Sequence, residues 1–141
     1  MNINQIWFQV LLIFGGCVLS QATQAQVFEI KNASKRYDVK MTTNCTDSSC
    51  DGQANIDLYL KGTTQHFQHF SSAELTMDLD ETYKPSVNVV QLYGEQSALI
   101  FADFNFDGSE DVAIRNGNYG AYGGPTSDVY ASFIEPRINL F

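Results

Sequence analysis

Apolar and polar residues alternate along successive segments of this 141-residue chain. Ile56, Leu58 and Leu60 are separated by polar residues or tyrosine, so a strand here would turn its apolar side chains to one face. The same period recurs in Leu75, Met77 and Leu79, and in Val129, Ala131 and Phe133. This pattern predicts half-buried antiparallel strands. We therefore expect an all-β domain, either an antiparallel β-sandwich or a distorted barrel.

Turn-forming residues divide the chain into short strands. Breaks are expected at Gly52, at Gly62 and within residues 82–85. Residues 94–97 separate two apolar segments, 87–93 and 98–101, and predict a hairpin. No segment after residue 25 shows a convincing helical pattern.

The first 25 residues have the composition of a secretion signal. Residues 6–19 are mostly apolar, and small residues follow up to Ala25. This length is typical of a signal peptide rather than a membrane span. We expect cleavage after Ala25, which leaves residues 26–141 as a single domain in the periplasm or outside the cell. The alternative is lipidation at Cys17, which would make the protein an outer-membrane lipoprotein and give it its only membrane contact.

Cys45 and Cys50 are the only cysteines of the expected mature chain. In an oxidising compartment they should form a disulfide that fixes a hairpin tip. A metal site is disfavoured, because no histidine lies near the pair.

The segment from Asp103 to Asp111 places oxygen-bearing side chains at alternate positions around a glycine. Ca²⁺ takes about six to eight oxygen ligands, so a short loop that wraps this ion must turn alternate side chains inward. Gly108 permits the sharp bend at the sixth position. The spacing predicts a calcium-binding turn with these ligands: Asp103, Asn105, Asp107 and Asp111 through side chains, and Ser109 through its carbonyl.

This turn differs from an EF-hand. The twelfth position is Ile114 rather than glutamate, and the flanking segments 99–101 and 112–114 are apolar and predict strands. The alternative is an Asn/Asp-rich turn that holds no ion, since these residues favour turns unaided.

A loop rich in glycine and tyrosine follows at residues 116–125. Glycine lets the backbone adopt positive φ, and tyrosine offers a large contact area with few rotatable bonds. The composition predicts a binding tip formed by Tyr119, Gly120, Tyr122, Gly123 and Gly124. The alternative is a long hairpin whose tyrosines only cover the edge of a sheet.

Together the two segments form the run FADFNFDGSEDVAIRNGNYGAYGGPTSDVY at residues 101–130. This run resembles the signature of small bacterial envelope proteins that inhibit peptidoglycan hydrolases. The family includes immunity proteins against lysozyme-like effectors of type IV secretion, and its fold is similar to that of the periplasmic inhibitor of invertebrate-type lysozyme.

The resemblance implies a β-sandwich or distorted barrel that projects a loop into the hydrolase cleft. It also implies that the loop beside the calcium turn carries the inhibitory tyrosine, which by position is Tyr122, with Gly120, Gly123 and Gly124 shaping the loop. Members usually continue for several strands beyond the segment that corresponds to residues 128–130. This chain ends at Phe141, so a C-terminally truncated copy is one interpretation.

Sixteen acidic residues against eight basic ones give a net charge of −8, which disfavours nucleic-acid partners and favours cationic proteins. No catalytic constellation is evident, and an enzyme is not expected. His66 and His69 are three residues apart, so on a regular strand they would point to opposite faces and would not share a metal. Three hypotheses follow: a lysozyme-type hydrolase inhibitor, a calcium-stabilised envelope binding or adhesion module, and a nonfunctional truncated paralogue.

Overall fold

Seven strands form two antiparallel sheets in the computed structural model, which describes residues 24–91 and 96–131. The predicted signal sequence and Cys17 lie outside the described residues, except that Gln24 and Ala25 open the first strand. The strands are β1 (Gln24–Ile30), β2 (Tyr37–Thr46), β3 (Ser49–Leu60), β4 (His66–Asp78), β5 (Leu99–Ala102), β6 (Asp111–Arg115) and β7 (Ser127–Tyr130). Within these ranges no helix is long and apolar enough to cross a membrane.

The first sheet is a meander in which β1, β2, β3 and β4 are neighbours in chain order. Short turns join its strands, and all three pairings are antiparallel. The second sheet has the order β5-β6-β7 and is also antiparallel. The prediction of an all-β fold of the sandwich type is confirmed.

The disulfide closes the tip of the β2–β3 hairpin. Cys45 lies opposite Cys50 in the register, and their sulfurs are bonded at 2.00 Å. Asp47 in the turn has a φ of 55°, a left-handed conformation that aspartate tolerates better than most residues. The sequence prediction of this pair is confirmed. Because the loop it closes is short, the bond fixes the tip rather than the whole domain.

The core lies between the inner faces of the two sheets. Met41, Ile56 and Leu75 from the first sheet are fully buried, and Leu99 and Ile114 from the second are almost fully buried. Removing such side chains from water contributes roughly 1.5–3 kcal/mol each. The alternation in β3 and near the end of β4 therefore assigned the inner faces correctly.

The face of β7 differs from the expectation. Val129 is 53% exposed and Ala131 is also exposed, whereas Tyr130 turns inward and packs on Phe70 with ring centroids 4.5 Å apart. The tyrosine ring has a larger apolar surface than the valine side chain. This explains why Tyr130 faces the core and Val129 faces solvent, rather than the reverse. Phe133, the third residue of that pattern, lies outside the described residues.

A hairpin is expected around residues 94–97. The described residues on either side of it do not pair as two antiparallel strands. Val87 makes a parallel bridge with Leu99, and residues 92–95 lie outside the described residues. Asn88 is the physical reason, because its amide accepts a hydrogen bond from the Phe101 N–H at 2.7 Å and donates one to the Ala33 carbonyl at 2.8 Å. The side chain thus takes the place of a second regular strand beside β5.

Two β-bulges interrupt the pairing of β3 with β4. Gly52, expected to end a strand, lies within β3 at a φ of 102° beside the first register shift. At the second shift, Leu58 pairs with Gln68 and Tyr59 pairs with His66, so Phe67 is an extra residue on β4. A bulge of this kind changes the face to which the following side chains point.

We predict that Leu75→Ala destabilises the fold by about 2–5 kcal/mol, because it removes a fully buried side chain and leaves a cavity. Val129→Ala is the matched control on the exposed face, with an expected change within about 0.5 kcal/mol. Urea denaturation monitored by circular dichroism measures both variants. Equal losses would contradict the assignment of inner and outer faces.

Candidate functional site

Residues 103–110 connect β5 to β6 and fold around two aspartate carboxylates. Asp103 accepts hydrogen bonds from the backbone N–H groups of Asp107 at 3.1 Å and Gly108 at 2.9 Å. Asp111 Oδ2 accepts from Phe104 N–H at 2.9 Å and Asn105 N–H at 3.3 Å. These side chains close the turn from both of its ends.

The middle of the turn is held by Asn105 and Asp107. Asn105 Oδ1 accepts from the Asp107 N–H at 3.1 Å, and Asp107 Oδ1 accepts from the Ser109 N–H at 2.7 Å. The Ser109 backbone N–H, followed by the Asn105 amide, holds the pKa of Asp107 below its usual value. Gly108 has a φ of 86°, so the glycine expected at the bend does adopt a left-handed conformation. The turn therefore brings all five predicted ligand residues into one short loop.

The donor set fits calcium in its chemistry. Carboxylate, amide and carbonyl oxygens are the hard ligands that Ca²⁺ prefers. Asp111 is almost completely buried at the root of the turn, where an ion would be shielded from solvent. Within residues 24–91 and 96–131, however, no three His, Cys, Asp or Glu side chains converge closely enough to hold a metal. Calcium at this turn remains a prediction.

If the turn binds Ca²⁺, the ion should stabilise the folded protein, because it binds the unfolded chain less well. At free calcium about 100 times the dissociation constant, the gain is about 2.7 kcal/mol. We expect a higher melting temperature with calcium than with EDTA, measured by circular dichroism.

Asp107→Ala should abolish that difference. Asp128→Ala removes an aspartate near the opposite end of β6 and should preserve it. A wild-type melting temperature that does not respond to calcium would rule out the ion.

Residues 116–126 connect β6 to β7 and form the glycine- and tyrosine-rich loop. At its base, Asn116 N–H donates to the Thr126 carbonyl at 2.9 Å, and Thr126 N–H donates to the Gly117 carbonyl at 3.0 Å. Nearer the tip, Gly120 N–H donates to the Gly124 carbonyl at 3.0 Å. A Cβ on Gly120 would lie 2.9 Å from that carbonyl oxygen, so the close approach requires glycine.

Tyr122 lies at the tip of this loop, within a 3-10 turn at Ala121–Gly123. Its side chain is fully exposed, and its backbone has a φ of 59° and a ψ of 27°. A left-handed conformation costs a non-glycine residue about 1–2 kcal/mol. The loop thus holds a large aromatic side chain in solvent on a strained backbone.

Tyr119 has a different environment, although it is also largely exposed. Its hydroxyl donates a hydrogen bond to a Glu74 carboxylate oxygen on β4. This bond to Glu74 raises the pKa of Tyr119. The ring lies against Gly117, where an added Cβ would be 2.2 Å from a ring carbon. Tyr119 therefore braces the loop, whereas Tyr122 projects from it.

Two anchoring residues were missed by sequence reasoning. Glu74 contacts the loop through its backbone as well as its carboxylate: its N–H donates to Asn116 Oδ1 at 3.1 Å, and its carbonyl accepts from Gly117 N–H at 2.7 Å. Asn116 also donates through Nδ2 to Asp128 on β7 at 2.8 Å. Glu74 looked like an ordinary polar residue of an alternating strand, and no local signal connects it with the loop.

The predicted calcium turn and the tyrosine loop are not neighbours. They flank β6, so the turn precedes the strand and the loop follows it at the opposite end. The loop that the resemblance places beside the predicted calcium turn is thus separated from it by the length of β6.

His66 and His69 also differ from the expectation of opposite faces. Both approach the same oxygen, Asp57 Oδ1, with His66 Nε2 at 3.1 Å and His69 Nδ1 at 2.7 Å. The extra residue Phe67 is the reason, because the bulge turns both rings to the outer face of the sheet. Burial raises the pKa of Asp57, but the hydrogen bonds to His69 and His66 outweigh it, and the net pKa is lowered.

We predict that Gly117→Ala loosens the tyrosine loop, because the new methyl group has to displace the Tyr119 ring. Gly123→Ala is a matched control: Gly123 is also left-handed, with a φ of 75°, but a Cβ there has no neighbour within 4 Å. Both variants incur about 1–2 kcal/mol of backbone strain, so the difference between them reports the ring contact.

Thermal denaturation should show the larger loss for Gly117→Ala. The NMR signals of the Tyr119 ring should shift only in that variant. Indistinguishable behaviour of the two variants would contradict the bracing role of Tyr119.

No family model matches this chain, and comparisons with curated proteins and with solved structures find no match.

Proposed function

We propose that this protein is a periplasmic or secreted inhibitor of a lysozyme-like peptidoglycan hydrolase. Its loop of residues 116–126 would enter the cleft of the enzyme, with Tyr122 as the residue that fills the substrate site. The protein would act by occupying that cleft and would perform no chemistry of its own.

The presentation of Tyr122 is the observation that supports this function best. A tyrosine that is fully exposed on a left-handed backbone contributes little to folding, while its conformation has a cost. Such strain is often found at binding sites, where a partner compensates for it. A rigid aromatic side chain also loses little entropy when it is buried in a cleft.

The base of the loop supports the same interpretation. Glu74 and Asn116 attach the loop to β4 and β7, so its tip is held in one arrangement before a partner arrives. Preorganisation lowers the entropic cost of association. A loop that merely covered a sheet edge would not need to hold its outermost tyrosine away from the protein.

Charge complements this shape. The carboxylates of Glu74 and Asp128 lie near the base of the loop, and the whole chain carries a net charge of −8. Hydrolases that act on anionic cell walls are often basic. Opposite charges would increase the rate of encounter and help to orient the two proteins.

A calcium-stabilised envelope binding module is the second candidate. Its support is the exposure of both Tyr119 and Tyr122, since aromatic rings can stack on sugars. The braced state of Tyr119 favours the inhibitor, because one of the two rings is already engaged by Glu74.

Tyr122→Ala should weaken inhibition by more than tenfold, because truncating an aromatic residue at the centre of an interface commonly costs about 2 kcal/mol or more. Tyr119→Ala should have a smaller effect on inhibition. Cell-wall turbidity assays against a panel of lysozymes measure inhibition, and the melting temperature of each variant separates binding defects from folding defects.

Tyr83→Ala is a matched control, since Tyr83 is an exposed tyrosine with a φ of 57° in a different turn. Inhibition should be unchanged in this variant. If the wild-type protein inhibits no hydrolase at micromolar concentration but retains peptidoglycan fragments on a column, the binding-module function replaces the inhibitor.

A further inference from the structure

A small cavity opens between the two sheets, near the end of β6 where the calcium turn lies. It has a volume of about 20 Å³, which is room for one group the size of a water molecule. Phe67 and Gln68 are exposed and line it from β4, while Glu110 and Asp111 line it from the start of β6. The tyrosine loop is at the other end of β6, so the cavity is separate from the proposed inhibitory site.

Two polar atoms at this cavity are buried without a partner. Neither the Tyr37 hydroxyl nor Glu110 Oε2 makes a hydrogen bond to any part of the chain that the structure describes. Tyr37 is only 2% exposed. A buried polar group without a hydrogen bond is destabilising by roughly 1–3 kcal/mol, and more when the group is charged. The arrangement therefore calls for a group that can donate to both oxygens.

Aromatic rings line the same space. Tyr37 lies 5.0 Å from Phe67, and Phe70 lies 4.5 Å from Tyr130, measured between ring centroids. All four residues line the cavity. Aromatic rings attract cations through the negative potential of their faces, and this attraction increases when water is excluded.

No basic side chain neutralises Glu110 within residues 24–91 and 96–131. The ion pairs in these ranges join Asp38 with Lys31 and Asp57 with its two histidines. Arg36 lies against the aromatic wall, with its guanidinium carbon 5.5 Å from the Tyr37 ring centroid. Burial raises the pKa of Tyr37, and Glu110 raises it further, whereas Arg36 lowers it. The net pKa is raised, so the Tyr37 hydroxyl keeps its proton and can donate or accept a hydrogen bond.

We propose that this cavity binds a primary alkylammonium group. The ammonium head would donate to Glu110 Oε2 and to the Tyr37 hydroxyl, and its alkyl stem would leave between the rings of Phe67 and Tyr130. An ammonium head is close in size to the water molecule that the space accommodates. A carboxylate and aromatic rings together favour a cation over a neutral donor.

The group could come from a small amine or from a lysine side chain of another protein. Two probes distinguish these sources: n-butylammonium chloride, and Nα-acetyl-lysine-N-methylamide, in which the same head is attached to a peptide backbone. Neutral 1-butanol has the same stem without the charge. Binding is followed by NMR shifts of the Phe67 and Tyr130 rings at constant calcium concentration and ionic strength.

We expect saturable shifts with at least one ammonium probe and none with 1-butanol. Glu110→Gln, which keeps the shape and removes the charge, should weaken binding at least tenfold. Glu81→Gln removes an exposed carboxylate from a turn that does not line the cavity and should leave binding unchanged. If Glu110→Gln does not fold, Phe67→Ala takes its place, because it removes part of the aromatic wall at an exposed position. This variant should also bind the ammonium probe more weakly than the wild type does.

Saturation by butylammonium alone assigns the cavity to small amines, and saturation by the lysine derivative as well extends it to protein lysines. Shifts that do not saturate with either probe, or equal binding by 1-butanol, would show that the cavity holds only water and would overturn the proposal. Undiminished binding in the folded Glu110→Gln or Phe67→Ala variant would do the same.

Discussion

The side-chain amide of Asn116 joins the parts of this protein on which the tyrosine loop depends. Its oxygen accepts hydrogen bonds from Ser72 Oγ and the Glu74 N–H on β4, while its nitrogen donates to Asp128 on β7. One residue at the end of β6 therefore connects both sheets and the base of the loop. Hydrophobic burial holds the sheets together but does not fix their relative position in detail, because it is not directional. The amide supplies that direction.

Much of the fold could be predicted from local patterns, and the exceptions have physical causes. Alternation correctly assigned Ile56, Leu58, Leu75 and Met77 to the inner face. It failed at β7, where Val129 and Tyr130 compete for the core and the larger ring is buried. The bulge at Phe67 could not be predicted, because a single extra residue on one strand is defined only by its partner strand. For that reason the two histidines share the outer face, whereas regular alternation placed them on opposite faces.

The two candidate sites differ in how far their contacts reach along the chain. In the predicted calcium turn every hydrogen bond of Asp103 and Asp107 joins residues at most five positions apart, so spacing alone indicated a turn. The tyrosine loop is braced by Glu74, which is 45 positions from Tyr119. The resemblance singled out Tyr122 by position as the inhibitory residue, which stays a prediction. The reason why Tyr122 projects and Tyr119 does not is a tertiary contact, the bond from Tyr119 to Glu74.

The separation of the two loops by β6 has a consequence for how such a protein can change over evolutionary time. Substitutions at the tip of residues 116–126 lie a full strand away from the carboxylates that organise residues 103–110. Residues at this tip can therefore be exchanged without disturbing the turn that starts β6. Substitution is restricted instead at Glu74 and Asn116, because a loop with a different tip would still need these two residues at its base.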